Sequence, residues 1–466
     1  MKKALNCLLL FFLCTWLYCG QMVKPRTVNI ISTQYFDFLF PEESKQTAVE
    51  LSTLADSIYT KAKEVFCCNY DFRTTVVISP DSDTLSVKYT ASPYNRIVVF
   101  DAVDRPGSSF YDNGLIDLFS HEVNRAVSQS VRTKAMDFVA RHFLGDSFQP
   151  AALFNMPYSF LEGAVYSTDE NAREGILYDN WNIQSLMQAK VEGKFPSVLQ
   201  TTGAYDIYPG NKTDYIAAAA FYAYIQQKWG FEKFGEYWQE CGKLQFFHLD
   251  KKIFLKVYGQ DMNDAWQEFI QAIPVPDKLP EPDQDGSKAM MKIDYDSNYK
   301  FIVSTNYGLV WYDDLKEEVD ISGSYEYENF KQLLFLAKGI TNLTVSPCGR
   351  FLVVSYIKGG EREKFEKDAV RIFDLKQRKF LSESYAMRDA SVVILQDGHY
   401  GIIGNDTRQG GSCLKIYESH EMNALLGFDN STSRLVYSRQ FGKACNPASF
   451  SQRCKRSRVT GFAKLT

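Results

Sequence analysis

A proline-rich, acidic segment divides this chain of 466 residues into two regions with different hydrophobic patterns. The segment reads PVPDKLPEPDQDGS from Pro274. Proline-rich polar chain cannot build a packed core, so we expect a semi-extended linker over residues 274–292. Apolar residues recur mostly at helical spacings before the linker and in strand-like runs after it. The sequence therefore predicts an α+β protein: a small N-terminal sheet followed by a mainly helical domain over residues 27–273, and then an all-β domain.

Within the first region, short runs of β-branched and aromatic residues predict strands at 27–33, 35–40, 74–79 and 96–100. Apolar spacings of three and four predict helices at 43–66, from 113 or 114 onward, and at 213–229, 232–241, 251–258 and 262–273. Gly230 and Asp261 stand where a C-terminal and an N-terminal helix cap are expected.

The second region contains three similar units. Phe301, Phe351 and Tyr400 open runs with strand composition, 50 and 49 residues apart, and each run leads to a second strand that ends in an aromatic residue and often an acid. Repeats of this length are typical of propeller blades. Residues 293–442 therefore predict a partial β-propeller, and the basic residues 443–466 predict an irregular tail.

The composition excludes several classes of function. A net charge of -4 offers no attraction for phosphate backbones, so nucleic-acid binding is not expected. The chain has no GxSxG motif for a serine hydrolase and no glycine-rich phosphate loop. Its scattered cysteines form no CxxC pair, which argues against a thiolate zinc site and favours free, buried thiols.

The N-terminus has the pattern of an export signal. Two lysines precede an apolar run that ends near Tyr18, which predicts a signal over residues 1–20. Cys19 before Gly20 could carry a lipid, although Trp16-Leu17-Tyr18 lacks the small residues of a bacterial lipobox. We expect an exported protein of the periplasm or cell envelope, with signal cleavage and lipid anchoring at Cys19 both left open.

The stretch SHEVNR, which ends at Arg125, matches only part of the HExxH pattern. That pattern places two histidines one helical turn apart with a glutamate beside the first, and here His121 and Glu122 are followed by arginine at the second histidine position. Downstream, PYSFLEG contains Glu162 and Gly163 in an apolar setting where a carboxylate is unexpected without a partner. The segments DYIAAAAFYAYIQQKWGFEKF and FLKVYGQDMNDAWQEFI follow in that order.

Taken together, these four segments resemble the exported gluzincin-type metallopeptidases, the thermolysin-like superfamily. The chain beyond Pro276 resembles WD-repeat or TolB-like propeller modules. The first resemblance implies zinc as the cofactor, with His121 as first ligand, Glu122 as general base and Glu162 as third ligand. It also implies a tryptophan where this chain has Ser159.

Arg125 breaks the family pattern. A guanidinium stays protonated and so cannot ligate zinc, which leaves one imidazole and one carboxylate where a catalytic zinc normally keeps three protein ligands. Arg125 could instead form charge-assisted hydrogen bonds with Glu162 and Glu122 in the space of the metal. Glu162 has a plainer alternative, a helix carboxylate satisfied by nearby backbone or a lysine.

Other residues could supply the missing zinc ligand or take another role in the site. His142 could fold back as a ligand, but a histidine at a helix end is the simpler interpretation. Three further histidines have no motif context: His248, His399 and His420. Three tyrosines could stabilise an oxyanion or serve only in packing, with Tyr215 the first candidate: Tyr205, Tyr208 and Tyr215.

Two functional hypotheses follow. In the first, the chain is a metallopeptidase-like protein that Arg125 has made catalytically inactive and that acts as a binding or scaffolding module for a protein or peptide, with membrane attachment through its N-terminus left open. In the second, it is an active zinc-dependent peptidase with an atypical metal site. A structural envelope protein whose propeller is the working part is a third. The zinc content of the purified chain distinguishes the first two.

Overall fold

The structure is a computed structural model that describes residues 26–91, 95–103, 114–139, 142–143, 156–168, 175–203, 213–243, 250–275, 299–322, 331–358, 366–406, 412–428 and 435–441. The predicted signal with Cys19, nearly all of the predicted linker and the predicted basic tail lie outside these residues. The chain divides into two compact units. The first comprises residues up to Ser79 and Leu85–Leu279, and the second comprises Pro80–Thr84 and the residues from Pro280 onward.

The first unit begins with a five-stranded sheet in the order β1-β2-β3-β5-β4. Strands β2, β3 and β5 run parallel, whereas β1 and β4 pair antiparallel at the two edges. Phe36, Phe38 and Phe40 alternate inward along β2, as the two-residue period of a half-buried strand requires. The strands are β1 Asn29–Ser32, β2 Phe36–Phe40, β3 Thr74–Ser79, β4 Ser86–Thr90 and β5 Arg96–Phe100.

Helices make up most of the rest of the first unit. Those predicted from apolar spacing are present, with ends that differ from the prediction by at most two residues. Helices over residues 134–139, 180–191 and 198–201, which the sequence did not indicate, are added between them. The helices are α1 Lys45–Val65, α2 Gly114–Ser130, α3 Lys134–Val139, α4 Tyr158–Tyr166, α5 Asn180–Val191, α6 Val198–Thr201, α7 Thr213–Trp229, α8 Phe231–Cys241, α9 Asp250–Tyr258 and α10 Met262–Ala272.

Both predicted caps are confirmed. Gly230 has a φ of 87°, a left-handed conformation that costs glycine little, and its amide donates to the carbonyl of Gln226 at 2.8 Å. The Asp261 side chain accepts from the amide of Asn263 at 2.8 Å. These caps place the ends of α7 and the start of α10 where the sequence predicts them.

An aromatic cluster fills the core of the helical part. Trp238 and Trp266 are fully buried, the first against Phe234 and the second against Phe221. Each indole still finds a backbone acceptor at 2.9 Å: the carbonyl of Ser128 for Trp238 and that of Pro196 for Trp266. Buried indoles need such a partner because an unsatisfied N–H in the core is costly. The first of these bonds ties α8 to the C-terminal turn of α2, which carries the candidate site.

The second unit contains three four-stranded antiparallel sheets, each of which pairs its strands in chain order. We call them the first, second and third meander. The first is β6 Tyr299–Thr305, β7 Gly308–Asp313, β8 Glu318–Ser322 and β9 Lys331–Leu336; the second is β10 Ile340–Val345, β11 Phe351–Lys358, β12 Lys367–Asp374 and β13 Lys379–Tyr385; the third is β14 Arg388–Ile394, β15 Tyr400–Asp406, β16 Ser412–Glu418 and β17 Leu435–Phe441, with helix α11 His420–Leu425 before β17.

The second meander is buried on both faces. Leu352 and Val354 of β11 pack with residues of the first meander, whereas Phe351 and Val353 pack with residues of the third. This explains why β11 is a continuous apolar run and not an alternating one. The order of strands suits propeller blades, but the described residues close neither a barrel nor a propeller, so the partial propeller remains a prediction.

The sequence repeat corresponds to strand pairs within the meanders. Phe351 and Tyr400 open β11 and β15, the second strands of their meanders, and Phe301 lies in β6, the first described strand of its own. The acids that end the following strands are Asp313, Asp374 and Glu418, and all three are fully buried.

The cysteines of the described residues are free thiols, as expected. Only Cys68 and Cys241 are buried; Cys67, Cys348 and Cys413 are partly exposed, so the expectation of burial was wrong for those three. In the part of the chain that the structure describes, no helix combines the length and the apolarity needed to cross a membrane.

Candidate functional site

Helix α2 brings three of the predicted site residues to one place. Phe119, Val123 and Val127 face the core and hold the helix against the sheet and α1. His121 and Glu122 are themselves buried, with 6% and 7% of their surface exposed. An imidazole and a carboxylate at this depth need polar partners, because an unpaired buried charge is strongly destabilising.

Helix α4 supplies the second carboxylate. It starts after Pro157 and buries Glu162, which is 3% exposed. The next residue, Gly163, lies directly against α7: a Cβ there would be 2.7 Å from Cβ of Ala218 and 2.8 Å from the amide nitrogen of Ala219. Glycine is unfavourable within a helix, but here it permits the close approach that places Glu162 beside α2.

The Arg125 guanidinium connects the two helices. Its Nε donates to Oε1 of Glu162 at 2.8 Å, and Nη2 also pairs with that oxygen. Nη1 donates to Oε2 of Glu122 at 3.1 Å, and Nη2 donates to the hydroxyl of Tyr158 at 2.8 Å. This geometry agrees with the predicted charge-assisted pairing. Burial lowers the pKa of Arg125, but the negative charges of Glu122 and Glu162 outweigh it and raise the pKa above its ordinary value.

His121 lies on the other side of Glu162. Its Nε2 is 3.7 Å from Oε2 of Glu162, and its ring packs on Tyr166 with centroids 4.5 Å apart. Burial alone would raise the pKa of Glu162, but hydrogen bonding to His121 and the charge and hydrogen bond of Arg125 outweigh it and hold the pKa below its ordinary value. Glu162 is therefore an ionised carboxylate with an imidazole on one oxygen and a guanidinium on the other.

Glu122 has a further partner on the sheet. The amide of Tyr89 in β4 donates to Oε2 of Glu122 at 3.0 Å. The Tyr89 side chain is buried, and that burial raises the pKa of its hydroxyl. The carboxylate that the family resemblance assigns to general-base chemistry thus receives hydrogen bonds from both a guanidinium and a backbone amide.

Two tyrosines lie near Arg125: Tyr158 contacts it, and Tyr215 packs on Tyr158. The Tyr158 hydroxyl accepts from Arg125, and burial raises the pKa of that hydroxyl. The Tyr215 ring packs edge-on against Tyr158 with centroids 5.9 Å apart, so Tyr215 is near the site but next to a neighbour of Arg125. Tyr205 and Tyr208 lie outside the described residues.

Tyr158 is the site residue that sequence reasoning missed. It stands four positions before Glu162, and side chains at that spacing share a helix face. That spacing was the available signal.

The other predicted residues have local roles. The Ser159 hydroxyl, at the position of the family's tryptophan, donates to the carbonyl of Thr201 at 2.5 Å. His142 stacks on Phe138, and its Nδ1 is 2.9 Å from the Phe138 carbonyl oxygen, which fits a local histidine. His420 opens α11 in the second unit, and His248 is outside the described residues.

These residues do not fit a zinc ion. Zinc bound by His121 and Glu162 needs a third protein ligand in a catalytic site, and Arg125 directs N–H donors at Oε1 of Glu162 and at Glu122. A guanidinium has no lone pair to offer and would bring a positive charge beside the cation. A zinc ion at the position that the resemblance implies, bound by His121 and Glu162, is therefore incompatible with the Arg125 hydrogen bonds.

Among known proteins, no family model matches this chain. It is 26% identical over 363 residues to an uncharacterized protein of Treponema pallidum (strain Nichols), a match that covers 76% of this chain and 31% of that protein. This chain thus spans about a third of the length of that relative.

Similar solved structures include native yeast LTA4 hydrolase (11% identity, TM-score 0.32, 54% of this chain and 40% of that one). They also include an aminopeptidase N family protein from Idiomarina loihiensis (10% identity, TM-score 0.23, 76% and 65%) and the tricorn protease (14% identity, TM-score 0.19, 35% and 15%). None of these likenesses assigns an activity to this chain.

Proposed function

We propose that the first unit is a gluzincin-like domain in which Arg125 has replaced the zinc ion, so that the domain does not hydrolyse peptides and serves as a binding or scaffolding module for a protein or peptide. One observation carries the proposal: the Arg125 guanidinium donates to both Glu162 and Glu122, the two carboxylates that a zinc peptidase would reserve for its metal and its water.

The arrangement explains how such a fold survives without its metal. Two buried carboxylates close together repel each other and lose hydration, and a cation between them compensates for both costs. Arg125 supplies that positive charge permanently. It also supplies geometry, because a planar guanidinium can donate to two carboxylates and a hydroxyl at once.

The rest of the proposed function concerns setting and partners. We propose that the protein is exported to the periplasm or envelope, with its N-terminus either cleaved or lipid-anchored at Cys19. The three meanders, as a partial propeller, would offer a surface to a protein partner. The sequence patterns of residues 1–20 and 293–442 support these two statements.

The test measures zinc content and peptide cleavage together. The background carries His399→Arg, which removes a histidine that lies beside Glu418 and Asp397 in the third meander, so that zinc bound there does not interfere. In that background we expect the chain with Arg125 to purify without stoichiometric zinc and to cleave no peptide from a mixed library. Arg125→His completes an HExxH sequence and should gain one zinc, which Arg125→His/Glu162→Ala should lose.

The matched control is Arg125→Lys, which keeps the charge but lacks the planar fork of guanidinium donors and, as an ammonium, has no lone pair to complete the ligand set. We expect it to bind no zinc. Stoichiometric zinc in the chain with Arg125, lost on Glu162→Ala and accompanied by peptide cleavage, would overturn the proposal in favour of an active peptidase with an atypical metal site.

A further inference from the structure

A second group of ligand-type side chains lies in the third meander, away from the motifs that the sequence singled out. Asp397 and His399 flank the turn before β15, and Glu418 ends β16. Nδ1 of His399 is 2.5 Å from Oε1 of Glu418 and 3.7 Å from Oδ2 of Asp397. One nitrogen and two oxygens all lie within 4.8 Å of one another. Glu418 is fully buried, and the Asp397 side chain is half exposed.

The turn itself holds two of these groups in place. Gly398 has a φ of 87°, and its amide donates to the Leu395 carbonyl at 3.0 Å. The His399 amide donates to Oδ1 of Asp397 at 3.1 Å, which leaves Oδ2 beside the imidazole. The Phe428 ring packs near the imidazole, with centroids 5.5 Å apart. The ligand atoms therefore converge through backbone and packing contacts before any metal is considered.

The equivalent turn of the second meander shows what the repeat requires structurally. There, Gly349 has a φ of 68° and donates to the Ser346 carbonyl at 2.8 Å, as Gly398 does to Leu395. Arg350 stands at the position of His399. Its partner Asp374 is the last residue of β12, as Glu418 is the last residue of β16, but the registers differ by one residue: Phe351 lies opposite Asp374, whereas Gly401 lies opposite Glu418. The guanidinium and the buried carboxylate make two hydrogen bonds, of 3.0 and 2.7 Å.

Two changes distinguish the third meander from this salt bridge. His399 replaces arginine, and Asp397 replaces the cysteine at position 348. A salt bridge with Glu418 needs one cation only and has no use for a second carboxylate beside it. A divalent cation needs both changes: imidazole offers a lone pair that guanidinium lacks, and two carboxylates balance two positive charges.

We propose that Asp397, His399 and Glu418 bind a divalent transition metal, and the donor set points to zinc. Zinc takes histidine nitrogen and carboxylate oxygen at about 2.0–2.2 Å, so ligand atoms around a tetrahedral ion lie about 3.4 Å apart. The observed separations bracket this value. Entry of the ion takes the place of the hydrogen bond between His399 and Glu418 and moves the two ligand atoms apart by about 1 Å. Water completes the coordination on the exposed side, next to Asp397.

The test is zinc binding by the full chain, measured by calorimetry with zinc chloride and by elemental analysis. We expect one zinc per chain and a rise in the melting temperature when zinc is added. His399→Arg should abolish both effects while the fold survives, because it recreates the salt bridge that Arg350 makes with Asp374. Asp397→Asn, which keeps the His399–Glu418 pair, should weaken zinc binding by roughly 10-fold or more, as loss of outer-shell partners alone weakens metal sites by about 10–100-fold.

Two controls separate this site from the first unit and from surface histidines. His121→Ala and His420→Ala should each keep the bound zinc. The proposal is overturned if the unmodified chain binds no zinc, if His399→Arg retains it, or if His121→Ala loses it. Absence of zinc from the unmodified chain overturns this proposal alone. Zinc that is retained by His399→Arg and lost on Glu162→Ala would overturn the Arg125 proposal as well, so the two failures can be distinguished.

Discussion

The two candidate cation sites differ by opposite substitutions. On α2, an arginine stands where the HExxH pattern has histidine, and its guanidinium contacts both Glu162 and Glu122. In the third meander, a histidine stands where the second meander has arginine, and its Nδ1 faces Glu418 beside Asp397. Arg125 supplies a permanent positive charge. His399 supplies a nitrogen lone pair that can bind a metal ion, and that ion can be removed.

The difference shows how one side chain decides whether a buried carboxylate needs an ion. Glu162 and Glu418 are both buried, and each has an oxygen bonded to a basic side chain. A guanidinium brings the carboxylate a permanent positive charge as well as hydrogen bonds, whereas a neutral imidazole can donate one N–H but brings no charge. The backbone supports also differ, since Glu162 comes from a helix packed closely on α7 and Glu418 from the end of a strand.

The largest effect is expected at Arg125. Arg125→Met leaves two buried carboxylates without their cation and should lower the free energy of unfolding by about 3–5 kcal/mol, measured by urea denaturation. Arg73→Met is the control, because Arg73 pairs with Asp37 at the surface and such pairs contribute about 1 kcal/mol or less. If both variants lose the same amount, Arg125 does not stabilise the site.

A smaller loss is expected in the second meander. Arg350→Met removes both hydrogen bonds to buried Asp374, but the amides of Lys376 and Gln377 still donate to that carboxylate. We expect a loss of about 2 kcal/mol in the free energy of unfolding.

The matched variant in the third meander is His399→Met. Without metal it should cost less than Arg350→Met, and with zinc in excess it should cost more. An unchanged ranking with and without zinc would mean that the two turns are equivalent salt bridges.

Gly163→Ala tests the helical support of Glu162. The new methyl group would meet the backbone of α7 at Ala219, so the helices must separate, at a cost of about 1–3 kcal/mol. The exposed substitution Lys252→Ala on α9 is the control and should change stability by less than about 0.5 kcal/mol. A neutral Gly163→Ala would show that the close approach is not required.

The smallest effect is expected on how the free energy of unfolding depends on pH. The pKa of Glu162 is held below the ordinary 4.5, so the unfolded chain binds its proton first as the pH falls. The contribution of ionised Glu162 to the free energy of unfolding is complete above pH 4.5 and is lost as the pH falls through the lowered pKa. Urea denaturation between pH 6 and pH 3 should show a larger loss in the unmodified chain than in Glu162→Gln, where only the other carboxylates with lowered pKa values, such as Asp37 and Asp374, still contribute. Arg125→Met should move the loss to higher pH, and an unmoved loss would contradict the assigned cause.

The elements that could be predicted from sequence are those with strong local signals. Helix α7 matches its predicted bounds because Gly230 ends it, and α10 starts after its Asp261 cap. Strand β4 and helix α5 were missed: β4 is a short edge strand with a single alternation, and α5 carries no clear apolar stripe. Such elements form because neighbours pack on them, which one sequence does not reveal.

The site was predictable in part for a similar reason. His121, Glu122 and Arg125 lie on one helix, and the resemblance linked them to Glu162; the Tyr158 contact followed from helical spacing but was overlooked. The sequence did not reveal the group of Asp397, His399 and Glu418, because the signal is a comparison between two repeats. Arg350 pairs with the acid that ends β12, whereas His399 pairs with the acid that ends β16. The metal and catalytic roles that the resemblance gives to His121, Glu122 and Glu162 remain predictions.

The hydrogen bond from the Tyr89 amide to Glu122 also bears on the edge of the five-stranded sheet. Strand β4 is the outer strand of the described sheet, and the outward amides of such a strand are a template for pairing with another molecule. A carboxylate from α2 occupies one of these amides. Glu122→Ala would uncover it, so light scattering of concentrated samples should detect faster self-association in that variant, even if no chemistry is lost.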